Sequence, residues 1–220
     1  MIGLHADWFS HCLVLGCVGF AIGFGLKLAV EGRQSLRQIR RYPQIDLDGQ
    51  SARLLDSPTL YSAQIGFWQP ELVVTQGLLD ALTPEHLQAV LVHEQAHHYY
   101  RDTFWFFWLG WLRRITAWLP NTEALWQELL VLREIRADRW AASHVDALLV
   151  AESLLLVVSS PMIASESFSA AFSRATPINR LQERIDALLA EPESPSPASS
   201  WTWSWVLIAL LPLVAVPFHS

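Results

Sequence analysis

The chain has 220 residues, of which 52% are hydrophobic, 11 are tryptophan and only 16% are charged. That is too apolar for an ordinary soluble domain and suits a membrane protein with one compact domain and its anchors. A formal net charge of −6, with Lys27 the only lysine and no long basic patch, argues against direct nucleic-acid binding.

Residues 11–30 are apolar apart from His11 and Lys27. At about 1.5 Å per residue such a stretch matches a hydrocarbon core about 30 Å thick. A cleaved signal peptide is the competing reading. The preceding tail has no Lys or Arg, and Glu31-Gly32-Arg33 is a poor cleavage context, so a retained transmembrane helix over 1–30 is favoured. Glycines 16, 19, 23 and 25 suggest a close-packed helix face. Cys12 and Cys17 fall in the same segment and read as small apolar fillers rather than a disulfide. Arg33, Arg37, Arg40, Arg41 and Arg53 follow it. The positive-inside rule then puts residues 31–200 in the cytoplasm, below an inner (plasma) membrane crossed more than once, with both termini outside.

A central body is expected over 31–190. Residues 45–61 carry Asp/Gly and Ser/Pro turn signals. Leu72-Val73-Val74 is a short β-prone run, expected to form a small strand unit, a hairpin with residues near 60–67 being one form of it. Thr83-Pro84-Glu85 then opens a helix with a cap residue, a proline at the first position and an acid near the positive end. Leu87, Val90, Leu91 and Glu94 follow at helical spacing.

That helix carries His93-Glu94-Gln95-Ala96-His97. Imidazoles four residues apart share a helix face and can hold one Zn²⁺ at about 2.0–2.1 Å. Glu94, one residue along, is placed to take a proton from a water held there. His98 falls on the wrong face. The implied chemistry is metal-assisted hydrolysis, most often of a peptide bond. The plain alternative is a chance match to a short pattern; the capped, half-buried helix weighs against it.

Residues 104–112 are almost wholly aromatic and apolar, but Arg113-Arg114 interrupts them. The segment 104–119 is expected to lie in the membrane interface or dip partway in, with both arginines reaching headgroups. A hairpin of two short helices is the alternative. A helix over 122–143 follows, with Glu134 and Asp138 four apart. A catalytic zinc takes three protein ligands and keeps a position for water, so Glu134 is the candidate third ligand. Asp138 is then placed to bond the far nitrogen of a ligating histidine. A solvated charged face is the competing reading, since Arg133, Arg136 and Arg139 are interleaved. Helices over 145–159 and 177–190, a Pro/Ser-rich linker over 191–200 and a second transmembrane helix over 201–220 complete the chain. Trp201, Trp203 and Trp205 mark that helix's interfacial end.

Together, His93-Glu94-x-x-His97, Arg101-Asp102 and Arg133-Glu134-x-x-Ala137-Asp138 resemble the membrane-embedded gluzincins, the BlaR/MecR-type antirepressor peptidases above all. Gln69-Pro70-Glu71-Leu72-Val73-Val74 with Gly77-Leu78-Leu79 is similar to that family's strand and its turn into the zinc helix. Trp118-Leu119-Pro120-Asn121 with Trp126 is similar to its junction before the glutamate helix. The resemblance covers about residues 57–190. The CAAX prenyl protease and heat-shock membrane protease group shares the two motifs more distantly.

The resemblance implies His93, His97 and Glu134 as Zn²⁺ ligands, Glu94 as the base and Asp138 as their support. It makes Asp102 part of the motif, although on its own Asp102 reads as a helix-end acid. The expected fold is a mainly α membrane protein: a zincin-like helical catalytic domain with a small β unit, flanked by N-terminal and C-terminal transmembrane helices. The expected activity is zinc-dependent endopeptidase cleavage of a regulatory protein, such as a transcriptional repressor, beside the lipid bilayer. In zincins an edge strand receives the substrate through main-chain hydrogen bonds, and 69–75 is the candidate. His98, Tyr99, His144 and Arg139 are candidate second donors to the oxyanion. β-Lactam-sensing members carry a penicillin-binding domain after the last membrane helix; none is expected within residues ending at Ser220. The rival classes are a non-catalytic membrane adaptor that keeps the fold and a structural zinc protein. Intact Glu94 argues against the first, and a set of only three protein ligands against the second.

Overall fold

The computed structural model describes residues 2–159 and 180–190. The expected linker over 191–200 and second span over 201–220 lie outside the described residues, as do positions 177–179 of the last expected helix.

Helix α1 (Ile2–Ile39) runs past the expected end at residue 30. Nothing between Glu31 and Ile39 breaks it except the tolerated Gly32, and Tyr42-Pro43 lies beyond its end. Its stretch His11–Ile39 is long and apolar enough to cross a membrane. Leu13, Leu15, Phe20 and Leu26 stand exposed along it, an apolar surface that water does not favour.

Four strands follow: β1 (Gln44–Leu47), β2 (Gln50–Leu55), β3 (Ser62–Ile65) and β4 (Glu71–Thr75). Their spatial order is β1-β2-β4-β3. β1 and β2 form an antiparallel hairpin, β2 runs parallel to β4, and β3 pairs antiparallel with β4. The hairpin expected between 60–67 and the Leu72 run is present. The expected substrate strand is corrected, however: β4 is paired on both sides and has no free edge. Its Leu72, Val73, Val74 and Thr75 are all buried, and an unbroken apolar run marks a covered central strand. Among the described residues, the free edge beside the histidine helix belongs to β3. Its turn into β4 requires Gly66, whose φ is +137° and where a Cβ would lie 3.0 Å from the Gln69 carbonyl oxygen.

Thr75 ends β4 and caps α2 (Gln76–Ala81). Its hydroxyl donates to the Thr59 carbonyl at 2.6 Å and accepts from the Leu78 N–H. Gly77 sits so tightly under Pro58 that a Cβ would come within 2.3 Å of its carbonyl oxygen. Helix α3 (Pro84–Tyr99) starts as its sequence dictates, with the Thr83 hydroxyl accepting from the His86 N–H and proline in the first turn. Leu72, Val74, Leu78, Val90 and Leu91 close one core between sheet and helices; burying one such leucine stabilises by about 1.5–3 kcal/mol.

Arg101, left-handed at φ +54°, turns the chain into α4 (Asp102–Ile115). At fourteen residues this helix spans about 21 Å, too short to cross a bilayer. The chain turns again at Asn121, φ +64°, and α5 (Thr122–Ala142) brings it back. Segment 104–119 thus holds one helix and not a hairpin of two, and α4 stops before residue 119, where the Thr116 hydroxyl bonds the Leu112 carbonyl at 2.8 Å. The Trp111 indole N–H donates to the Ala21 carbonyl of α1 at 2.9 Å, and Arg114 lies over the Phe24 ring. A Cβ at Gly25 would meet Trp111, whereas one at Gly16, Gly19 or Gly23 would meet nothing within 4 Å among the described residues. The close-packed glycine face therefore narrows to one position. Helices α6 (Ala147–Ser159) and α7 (Leu181–Leu189) complete the described residues. Val150, Ala151 and Leu188 join Ala89 and Ala141 in a second core, so α6 is the core helix its interrupted apolar run predicts.

Candidate metal centre

His93 and His97 project from one face of α3, one turn apart. Their Nε2 atoms face each other at 3.2 Å. Two nitrogens on a tetrahedral ion with bonds of 2.0–2.1 Å stand about 3.3 Å apart. From α5, Glu134 places Oε2 3.5 Å from the His93 Nε2 and Oε1 3.9 Å from the His97 Nε2. The three residues thus offer two nitrogens and a carboxylate within 4.8 Å of one another, a donor set that fits a divalent cation with a coordination position to spare.

Both imidazoles are held from behind. His93 Nδ1 is 2.9 Å from the Asp138 Oδ1, one turn of α5 beyond Glu134. His97 Nδ1 is 2.7 Å from the Asp102 Oδ2. Each carboxylate accepts a hydrogen bond from an Nδ1–H, the tautomer that leaves Nε2 free to coordinate. Asp138 stands where its spacing predicts. Asp102 does more than end a helix: the turn at Arg101 swings it back against His97.

A ring of arginines surrounds these acids. Arg184 of α7 donates from Nε and a terminal nitrogen to the two oxygens of Asp138, both at 2.8 Å. Its guanidinium also lies 3.5 Å from Glu134. Arg133 donates twice to the Glu134 Oε1. Arg136 pairs with Asp102 and covers the Tyr100 ring. Glu94, Asp102, Glu134 and Asp138 are all buried. Three guanidinium groups face four carboxylates, so with neutral imidazoles the cluster is one charge negative and suited to a cation.

Burial alone would push the Glu134 carboxyl up; Arg133, the two imidazoles and Arg184 outweigh it and hold it well below its ordinary range. Burial likewise opposes ionisation of Asp138, and His93 and Arg184 overcome it. Burial would lower His93, but the Asp138 and Glu134 carboxylates push it up to about 10. An imidazole ligates only through a nitrogen free of its proton, so proton and cation compete for this site.

Glu94 points across from α3 toward the sheet. The Ser62 hydroxyl of β3 donates to its Oε1 at 2.8 Å. Its Oε2 is buried with no hydrogen-bond partner among the described residues. Leaving such an oxygen bare costs about 1–3 kcal/mol or more, as befits a group whose partner arrives with the ligands of the site.

The other expected donors are not brought here. His98 is exposed, Tyr99 stacks on Trp140, His144 bonds the Trp140 carbonyl, and Arg139 reaches the Ala187 carbonyl. Sequence reasoning passes over Ser62, Arg133, Arg136 and Arg184 as site residues. The amphipathic pattern opening the last helix shows Arg184 only as one of its charges.

The family model of peptidase family M48 matches the chain over residues 44–176. No curated protein matches it. The matched stretch runs from β1 through both motif helices and stops short of Arg184.

Proposed function

The chain belongs to peptidase family M48 and is a metallopeptidase, and from that premise we propose that it is a membrane-anchored zinc endopeptidase. We assign His93, His97 and Glu134 as the ligands, Glu94 as the general base, and Asp138 and Asp102 as the groups that orient the two imidazoles. The observation that carries the assignment is the convergence of both Nε2 atoms and the Glu134 carboxylate within 4.8 Å of one another; Glu94, between the two histidines on the same helix, keeps a buried oxygen without a hydrogen-bond partner among the described residues.

A divalent ion bound there supplies a Lewis acid for the scissile carbonyl and acidifies an adjacent water. The protein's own residues do the rest. Ser62 fixes one oxygen of Glu94 and leaves the other to accept the proton of the attacking water. Glu94 then passes that proton to the leaving amine. Asp138 and Asp102 keep each imidazole in the tautomer that presents Nε2. The free edge of β3, in place of the expected 69–75, takes the peptide as an added strand.

The anchor is α1, apolar over the length of a bilayer. Arg33, Arg37, Arg40 and Arg41 at its exit favour a cytoplasmic catalytic body on an inner (plasma) membrane. The substrate in this reading is a cytoplasmic or membrane-adjacent regulatory protein, a transcriptional repressor being the example the antirepressor resemblance offers. Glu94→Gln is expected to keep its metal by elemental analysis and to lower hydrolysis by about 10²–10⁴-fold. Equal turnover by mutant and wild type would remove Glu94 as the base.

A further inference from the structure

We propose that the substrate of this centre, which rests on the peptidase reading above, is a membrane-anchored protein whose apolar anchor lies on the N-terminal side of the bond cut. The soluble C-terminal part is the fragment released.

β3 sets the direction. The Thr75 N–H donates to the Tyr61 carbonyl at 3.1 Å, so Tyr61 faces β4. Alternation along an antiparallel ladder turns the main chain of Ala63 inward as well. The N–H and C=O groups of Ser62 and Gln64 are left facing the free edge. Ser62 is also the residue that touches Glu94. The edge therefore passes the base at Ser62, and Ala63 to Ile65 lead away from it.

They lead to an aromatic face. After Gly66 comes Phe67, its ring centroid 4.7 Å from Phe107 and 5.2 Å from Phe104 of α4. Trp68 packs on Phe104 at 5.6 Å and remains 72% exposed. Helix α4 in turn is fastened to the apolar α1 through Trp111 and Arg114. The β3 track thus ends in rings continuous with the membrane helix, as interfacial tryptophans would be. The chain on the other side of Ser62 comes from a mixed cleft lined by Asp56, Ser57, Pro58, Leu60, Gln76 and Asp80, which carries two carboxylates and no aromatic ring.

An added strand pairs most stably when antiparallel to its neighbour, so the peptide runs opposite to β3. Residues before the scissile bond lie over Ser62–Ile65 and reach Phe67 and Trp68. Residues after it pass Ser62 toward the cleft that carries the Asp56 and Asp80 carboxylates. An apolar segment is compatible with the first side and mismatched to the second. Water adds across the amide: the C–N bond breaks, the carboxylate stays on the anchored fragment, and the released fragment carries the amine, protonated by way of Glu94.

The test uses the full chain in phosphatidylcholine/phosphatidylglycerol vesicles. Three peptides share a core of randomised sequence: one unanchored, one with an apolar helix of about twenty residues before the core, and one with the same helix after it. Mass spectrometry reads the products. The peptide anchored on its N-terminal side is expected to be cut about tenfold faster, the scale of one well-placed apolar contact, than the peptide anchored on its C-terminal side. Trp68→Ala is expected to bring that ratio toward one. Equal rates, or faster cutting of the C-terminally anchored peptide, overturn the polarity. If the unanchored core is still cut and Glu94→Gln abolishes that cut, the peptidase reading survives. Failure of metal-loaded wild type to cut any of the three overturns both.

Discussion

The α3–α5 junction and the α1–α4 junction are held by opposite kinds of contact. At the first, buried carboxylates, imidazoles and guanidinium groups each have a named partner. At the second, an indole N–H meets one carbonyl and an arginine lies over one ring, while Trp105, Trp108 and Leu112 remain exposed. A charge network in a low-dielectric interior has one good arrangement, because each group left unpaired is costly. Ring contacts are worth about 0.5–1.5 kcal/mol each and tolerate rearrangement. A metal centre needs the first kind of joint, and two helices joined through exposed rings can use the second.

The largest expected effect comes from cutting the charged joint at its hub. Arg184→Met leaves the Asp138 carboxylate buried with His93 as its remaining partner. Removing one partner of a buried pair costs about 3–5 kcal/mol, and Asp138 also steers His93. Thermal unfolding in detergent should show the loss, and elemental analysis should show less bound metal. A loss no larger than that from a change at the aromatic joint would erase the distinction between the two.

The metal itself comes next. Chelation should lower the melting temperature of the wild type, since an ion that binds only the folded state stabilises by about 2.7 kcal/mol at a hundred times its dissociation constant. Glu134→Ala, with two nitrogens left, should purify with less metal and respond less to chelator. Unchanged metal content after dialysis would take Glu134 out of the coordination set.

The two joints also differ in how far the sequence reveals them. The histidine pair and the Glu134/Asp138 pair are legible because each repeats at one helical turn, and a helix start is written locally in Thr83-Pro84. What escapes is contact across the chain. Arg184 is 46 residues from Asp138, and Ser62 is 32 from Glu94. Asp102 lies only five residues from His97, yet a left-handed Arg101 is what brings it back, and nothing local demands that turn. The Leu72 run is legible as a strand. Its central place depends on parallel pairing with β2, a non-local choice, so the free edge falls to β3 instead. The aromatic stretch marks α4 as an apolar helix with exposed rings, but not where it ends or which glycine of α1 it touches.

A smaller change sharpens the comparison from the aromatic side. Trp111→Phe keeps a ring against Gly25 and removes only the N–H that reaches the Ala21 carbonyl. That carbonyl already serves a helix, so about 1 kcal/mol is expected, read as a small fall in melting temperature with full metal content and hydrolysis. Loss of metal in this variant would mean that the aromatic joint positions the centre after all.

The smallest expected effect lies where α1 meets the sheet, at a third joint of mixed character. Arg40, just past the end of α1, and Arg53 of β2 both donate to the Glu71 carboxylate of β4, Arg53 at 2.8 Å. Burial would raise the Glu71 carboxyl, but the two guanidinium groups hold it below its ordinary value of 4.5. A carboxyl whose folded-state value is depressed contributes stability that is fully present above its unfolded value and is lost as pH falls through the folded one. Glu71→Gln should therefore be less stable than wild type near neutral pH, by up to about 1 kcal/mol for so solvated a pair. The gap should close as pH drops well below 4.5, where wild type also carries a neutral side chain. High salt should narrow it too, as screening acts on this exposed joint more than on the buried one around Asp138. A gap that persists in acid would mean that Glu71 holds α1 to the sheet by packing, which would place this joint with the rings rather than with the charges.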